Sequence, residues 1–118
     1  MNRRVFERYV HQAIQSLPPE FQAALDNIEI VVEDFPDPEV LDDMGVEPGI
    51  LGLYHGVPLP ERMGGDVKLP DKISIYMGEF QRLGYRGAEL VEEIRLTVLH
   101  EIGHYFGLDD EALEEMGY

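Results

Sequence analysis

Residues 100–110 read HEIGHYFGLDD, which fits the pattern H-E-x-x-H-x-x-G-x-x-D. On a helix, His100 and His104 lie one turn apart on the same side, so both imidazoles can reach one metal ion. Glu101 is rotated by about 100° from His100, which lets its carboxylate face a water molecule on that ion. The stretch therefore predicts a helix that carries a zinc site together with its own general base.

The residues that follow the second histidine extend this prediction beyond the helix. Gly107 can adopt the left-handed conformation that ends a helix, so the chain can turn back and Asp110 can supply a third ligand. Asp109 is the alternative third ligand if the turn is tighter. Three protein ligands leave a fourth position open for water, as in catalytic rather than structural zinc sites. A helix whose histidines only face solvent would share the short pattern, but Gly107 and Asp110 at these offsets favour the metal site.

Length, composition and charge restrict the class of protein. A chain of 118 residues, 44% hydrophobic, suits one globular domain over residues 1–118. There is no cysteine, so any metal must have nitrogen and oxygen ligands. The net charge of −15 would repel phosphate backbones, and we therefore expect no nucleic-acid partner. Charged residues interrupt the N-terminus and no segment is apolar enough to span a membrane, which predicts a cytoplasmic protein without a membrane partner.

Hydrophobic periodicity predicts an α+β fold. The predicted elements, in chain order, are a helix over residues 3–17, a short helix from Pro19, strands over residues 27–34, 49–56 and 72–77, a long helix over residues 87–107, and a short helix or tail over residues 109–118. The predicted connections are a loop or irregular segment at residues 34–48, a long connection or wide hairpin at residues 57–71, and a loop or short helical turn at residues 80–86.

The long helix is amphipathic, and its polar side carries the motif. Five residues form one apolar arc: Val91, Ile94, Val98, Ile102 and Tyr105. His100, His104 and Glu93 fall on the opposite side at 100° per residue. We therefore expect the helix to pack on the sheet with one face and to present both histidines to a cleft with the other.

The motif and the layout resemble the zincin metallopeptidases. Residues 100–110 are similar to the metzincin-like subgroup with a glycine turn, and Asp110 at the third-ligand position resembles the snapalysin type. Most of the chain resembles the short bacterial minimal zincins, in which segments like GLYHG (residues 52–56) and LPDKI (residues 69–73) precede the same helix. The resemblance implies a minimal zincin-like α+β fold. It comprises a small mixed sheet of three to four strands, a backing helix, an active-site helix and an edge strand beside the zinc.

The same resemblance implies zinc-dependent hydrolysis of a peptide or protein substrate. With zinc held by His100, His104 and Asp110, Glu101 would be the general base that activates water. The candidates for stabilising the oxyanion are Tyr54, Tyr76, Tyr105 and Tyr118. Met116 is the only candidate for the methionine that larger metzincins place beneath the zinc. The chain also leaves little room for a subdomain that would form the far wall of a cleft.

Two other functions stay open on the sequence alone. The first is a zincin-like domain that binds a peptide or regulates a partner without cutting it, which the small size favours. The second is a zinc-dependent endoribonuclease, because a bacterial family in ribosomal RNA maturation has three histidines at similar offsets. That family has glycine at the position of Glu101 and histidine at the position of Asp110, and the charge of this chain opposes RNA binding. The oligomeric state is undetermined, and a monomer is compatible with the sequence.

Three further polar residues have weaker predictions. His55 lies in a glycine-flanked strand, where it either lines the cleft or faces solvent. Glu93 lies two turns before His100 and either orients that histidine or is a solvated helix residue. His11 is expected at the surface of the first helix.

Overall fold

Six α-helices and a three-stranded sheet form the described parts of the chain, which are residues 1–58 and 71–118 of a computed structural model. The elements are α1 (Arg3–Gln15), α2 (Pro19–Ala24), a 3₁₀ turn (Leu25–Asn27), β1 (Ile28–Glu33), α3 (Pro38–Met44), β2 (Gly52–His55), β3 (Asp71–Tyr76), α4 (Met77–Leu83), α5 (Gly87–Tyr105) and α6 (Asp110–Glu115). Most of the predicted connection at residues 57–71 lies outside the described residues. None of the described helices is long and apolar enough to cross a membrane.

The sheet is mixed, and β3 is its central strand. β1 pairs with β3 in parallel, and β2 pairs with β3 antiparallel, which gives the order β1-β3-β2. Ile73 lies opposite Ile30 of β1 on one side and opposite Tyr54 of β2 on the other. Ile73 and Ile75 are completely buried, as expected for a central strand. The α+β class and the small mixed sheet predicted from the sequence are therefore confirmed, with β2 as an edge strand.

Helix α5 packs against α1 and against strands β2 and β3. Its completely buried side chains are Ile94, Val98, Leu99 and Ile102. Leu99 widens the buried face beyond the predicted apolar arc, and Val91 at the edge of that arc is only partly buried. The side chains of His100 and His104 stay 27% and 29% exposed. The prediction that both histidines lie away from the core is confirmed.

The prediction of a loop over residues 34–48 is wrong, because helix α3 forms inside this segment. The Asp37 carboxylate accepts a hydrogen bond from the Glu39 N–H at 2.9 Å, and Pro38 occupies the first turn, where its missing N–H has no cost. Gly45, with a φ of 65°, ends the helix in the left-handed conformation. Leu41 is the buried residue of this helix. Prolines and acidic residues are typical of loops, but Asp37 and Pro38 are also residue types that begin a helix.

The remaining elements confirm the predicted type and differ mainly at their ends. Strand β2 covers only residues 52–55 of the predicted 49–56. Helix α4 begins directly after β3, whereas a loop or short turn was expected only from residue 80. Helix α5 ends at Tyr105 rather than at residue 107.

Candidate metal centre

Helix α5 ends in a turn that reverses the chain. Gly107, with a φ of 88°, donates its N–H to the His104 carbonyl at 2.9 Å, and Leu108 donates its N–H to the Gly103 carbonyl at 3.0 Å. These two bonds form a Schellman motif, which requires a residue that tolerates positive φ. The reversal also brings the Leu108 carbonyl to within 2.9 Å of His104 Nδ1. The glycine that the motif predicted as a helix stop therefore also supports the second histidine.

The two aspartates after this turn have different roles. The Asp109 carboxylate accepts a hydrogen bond from the Ala112 N–H at 2.8 Å and caps the N-terminus of α6. Asp110 Oδ1 instead lies 2.9 Å from His100 Nε2 and 3.2 Å from His104 Nε2. The structure thus brings Asp110 to the histidines and engages the alternative candidate, Asp109, elsewhere.

His100 is supported by the last residue of the described chain. Its Nδ1 lies 3.3 Å from the carbonyl oxygen of Tyr118. Tyr118 is held in turn by a hydrogen bond from its N–H to the Leu113 carbonyl at 2.8 Å, and its ring packs edge-on against Phe21. The sequence suggested Glu93 as the residue that orients His100, and no short-range pattern indicated Tyr118. The structure gives this position to a backbone carbonyl, which a residue-type motif cannot reveal.

The donor atoms around Asp110 suit a metal cation. Each histidine directs Nδ1 at a backbone carbonyl, which can only accept a hydrogen bond, so Nε2 is the ring nitrogen left to bind a metal ion. Both Nε2 atoms approach the same carboxylate oxygen of Asp110, so three atoms of the kinds that bind zinc converge. Ligands of a tetrahedral zinc ion lie roughly 3.3 Å apart, as expected for bonds of about 2.0 Å, and the two observed nitrogen–oxygen separations are close to this value.

The Glu101 carboxylate lies between the histidines and the edge strand. Its Oε1 accepts a hydrogen bond from the backbone N–H of Tyr54 at 3.0 Å, and the residue is only 7% exposed. Ligand atoms of His100, Glu101 and His104 all lie within 4.8 Å of one another, so the group could hold a metal ion. The close approach of β2 to α5 depends on Gly52, because a β-carbon at that residue would lie 2.7 Å from Thr97 Cγ2 on α5. The absence of a side chain at Gly52 is what lets β2 contact the helix.

Burial raises the pKa of the Glu101 carboxyl to about 7. The charge of His100 and the hydrogen bond from Tyr54 act in the opposite direction, whereas the charge of Asp110 raises the pKa further. A carboxyl with a pKa near neutrality can accept and return a proton with little driving force lost in either direction. The environment of Glu101 therefore fits proton transfer better than that of a surface glutamate would.

A cavity of about 320 Å³ opens on the cluster formed by His100, Glu101, His104 and Asp110. Its lining residues are Met44, Val46, Ile50, Gly52, Leu53, Tyr54, His100, Glu101, His104 and Asp110. The sequence left the far wall of a cleft without a candidate. The end of α3 and the connection from α3 to β2 supply an apolar wall through Met44, Val46 and Ile50, and the fold of the chain over residues 38–55 brings that wall to the histidines.

The tyrosines considered for oxyanion stabilisation are distributed over different environments. Tyr54 lines the cavity and packs edge-on against the Tyr105 ring, which is buried in the core. Tyr76 is buried and hydrogen-bonded to Ser74, and burial raises the pKa of its hydroxyl. Tyr118 contributes its backbone carbonyl to His100. Among these four, Tyr54 is the one that lines the cavity, but it is only 6% exposed and its hydroxyl oxygen is buried.

The other residues singled out from the sequence lie apart from the cavity lining. His55 is half-buried with Nε2 3.1 Å from Ser74 Oγ, and burial lowers the pKa of its imidazole. Its side chain is therefore neither in the cleft nor simply solvated. His11 is exposed on α1, as expected. Met116 is 52% exposed, so the structure does not place it beneath the histidines.

Comparison with known proteins assigns the family. The family model of zincin-like metallopeptidases matches residues 25–118, which include the sheet and every residue of the cluster. The chain belongs to the zincin-like metallopeptidase family. A solved structure of similar fold is a conserved hypothetical protein from Thermus thermophilus, with a TM-score of 0.55 and 25% sequence identity, covering 98% of this chain and 97% of that one. Among curated proteins, no sequence matches this chain. The resemblance inferred from the motif and the layout is confirmed for this zincin-like protein.

Proposed function

We propose that this protein is a zinc-dependent peptidase in which His100, His104 and Asp110 hold the ion. The observation that carries the proposal is the convergence of both histidine Nε2 atoms on one Asp110 oxygen, at 2.9 and 3.2 Å, beside an open cavity. Two imidazoles and one carboxylate form a donor set that zinc prefers, and they leave room for a further ligand.

Zinc bound there would supply Lewis acidity, which lowers the pKa of a water molecule and polarises a carbonyl group. Glu101 would be the general base: its carboxylate lies next to the histidines, and the Tyr54 N–H holds one of its oxygens. Its second oxygen would take the proton from the attacking water and pass it to the leaving amine. Burial excludes bulk water from this carboxylate and strengthens its interactions.

The experiment compares wild type with Glu101→Gln after loading with zinc, using a mixed peptide library and mass-spectrometric detection. Glutamine keeps an oxygen that can accept from the Tyr54 N–H, so we expect unchanged zinc content and a loss of hydrolysis of about 10²- to 10⁴-fold. Glu93→Gln is the matched control, since Glu93 lies on the same helix without contributing to the cavity wall. Full activity in Glu101→Gln would exclude Glu101 as the base.

A different outcome would favour the non-catalytic alternative. If zinc-loaded wild type cleaves no peptide in the library, yet peptides bind at the cavity, the protein is a zincin-like binding domain. RNA cleavage that requires the histidines would instead support the endoribonuclease hypothesis. The net charge of −15 argues against that outcome.

A further inference from the structure

The cavity next to the metal-ligand residues has an apolar half. Met44, Val46 and Ile50 form it; Met44 is the last residue of α3, and the other two lie in the connection that joins α3 to the edge strand. Met44 is 45% exposed, and Val46 and Ile50 are half-buried, so these side chains line a surface instead of filling the core. An apolar wall beside convergent polar groups is the usual construction of a site that takes an apolar substituent and orients it toward the chemistry.

Exposed carboxylates, called here the acidic rim, flank the cavity-lining residues Met44 and Asp110 along the chain. Helix α3 leads into Met44 with Asp42 and Asp43, and Glu47 follows; all three are exposed. Helix α6, which begins at Asp110, carries the exposed residues Glu111, Glu114 and Glu115. Within residues 1–58 and 71–118, the ion pairs of lysine or arginine involve other carboxylates, namely Asp34, Glu79 and Glu92. The rim carboxylates therefore form no ion pair with a lysine or arginine of the described residues.

Charge and shape together specify what would occupy this cavity. Two rows of carboxylates repel an acidic or phosphorylated ligand and attract a cationic one, and the effect is strong at a low-dielectric cleft in a protein of net charge −15. The wall of Met44, Val46 and Ile50 has no charged or hydrogen-bonding side chain, so it suits an aliphatic or aromatic group. The occupant should therefore be positively charged overall and apolar at one position.

We propose that the site takes basic polypeptide segments that place one apolar side chain against Met44, Val46 and Ile50. This inference rests on the proposed peptidase function, although binding of such a segment does not require its hydrolysis. Lysine or arginine residues on either side of the apolar residue would face the carboxylates of α3 and α6. Acidic peptides and nucleic acids would be rejected by the same charges.

Binding is measured by fluorescence anisotropy with the zinc-loaded Glu101→Gln protein, so that no probe is consumed. Four labelled peptides of equal length are compared: lysine-flanked leucine, lysine-flanked serine, glutamate-flanked leucine and a neutral leucine peptide. We expect the lysine-flanked leucine peptide to bind at least about tenfold more tightly than each of the others. Its affinity should fall steeply as salt is raised from roughly 0.05 to 0.5 M. Equal affinity for the glutamate-flanked peptide, or no binding of any of the four, would overturn the inference.

Two sets of variants assign the preferences to residues. Ile50→Ser should remove the preference for leucine over serine, whereas Leu83→Ser, which changes an exposed leucine of α4 outside the cavity, should leave it intact. Asp42→Lys with Asp43→Lys should reduce the preference for lysine flanks. Asp42 and Asp43 lie at the C-terminal end of α3, where a positive charge is compatible with the helix dipole.

The matched control for charge is Glu7→Lys with Glu29→Lys. It changes the net charge by the same amount on α1 and β1, which contribute no residue to the cavity wall. If both charge-reversed proteins lose affinity equally, the preference comes from net charge and the α3 rim has no specific role, which contradicts the inference.

The inference and the proposed function can fail separately. If wild type cleaves acidic, neutral and basic peptides at similar rates, the peptidase function stands and the substrate class is wrong. If Glu101→Gln binds the lysine-flanked leucine peptide selectively while wild type cleaves none of the four, the binding preference stands and the peptidase function is wrong.

Discussion

The side chain of Leu113 occupies the space that a β-carbon would fill at Gly103. Leu113 is completely buried, and a methyl group at Gly103 would overlap its Cδ2 atom. Gly103 lies between the two histidines on α5, and Leu113 lies on α6, the helix that begins with Asp110. The missing side chain at Gly103 therefore lets α6 dock closely enough for Asp110 to reach both histidines.

Gly103→Ala should weaken zinc binding although alanine favours helix formation. The gain in helix propensity is at most about 1 kcal/mol, whereas overpacking a closed contact costs about 1–3 kcal/mol and moves α6. We expect a lower melting temperature and a lower zinc affinity, measured by thermal denaturation and by competition with a chelator. Adding Leu113→Ala should recover part of the zinc affinity because it removes the overlap. A Gly103→Ala protein with higher stability and unchanged affinity would show that the contact does not position Asp110.

Asp110→Asn and Asp109→Ala should have opposite effects: the first should lower zinc affinity, and the second should lower the stability of the protein. Asp110→Asn should lower zinc affinity by more than the about 10- to 100-fold that is typical of residues that only support a ligand. Its effect on the zinc-free protein should be small, since Asp110 is exposed. Asp109→Ala removes the cap of α6 and should cost about 1 kcal/mol of unfolding free energy. Chelator competition and urea unfolding separate the two effects, and an equal loss of affinity in both variants would contradict the assignment.

Replacing His104 by alanine should abolish stoichiometric metal binding. We expect one zinc per wild-type chain by elemental analysis and none in His104→Ala. Zinc at about 100 times its dissociation constant should also stabilise wild type by about 2.7 kcal/mol, and this gain should vanish in the variant. His11→Ala is the control, because His11 is exposed on α1. Zinc-dependent stabilisation that survives in His104→Ala would place the metal elsewhere.

The Tyr118 carbonyl should contribute to zinc affinity through His100. Deleting residue 118 removes the acceptor 3.3 Å from His100 Nδ1 and frees the imidazole to rotate, which should lower zinc affinity by about 10- to 100-fold. Tyr118→Phe keeps the carbonyl and the ring packed on Phe21, so it should bind zinc like wild type. Zinc affinity is compared by chelator competition under conditions in which both variants are folded. Wild-type affinity in the deletion variant would mean that His100 does not depend on this carbonyl.

Local sequence rules predicted the helices and strands well where the signal repeats along the chain. The long apolar arc of α5 and the alternation of β3 correspond to elements in the structure. Helix α3 was missed because a short helix in an acidic, proline-containing segment has only its capping residues to indicate it. Strand β2 was predicted too long, since its length depends on pairing with β3 and not on its own composition.

The residues of HEIGHYFGLDD determined the metal-ligand candidates by themselves, because the geometry of one helix and one turn fixes the relative positions of His100, His104 and Gly107. Only the tertiary structure decided what surrounds them. Glu101 meets a backbone N–H 47 residues away on β2, and His100 meets a carbonyl 18 residues further along. The apolar wall comes from the end of α3 and the connection that follows it. Backbone groups have no residue-type signature, and contacts over such separations arise only when helices and strands pack.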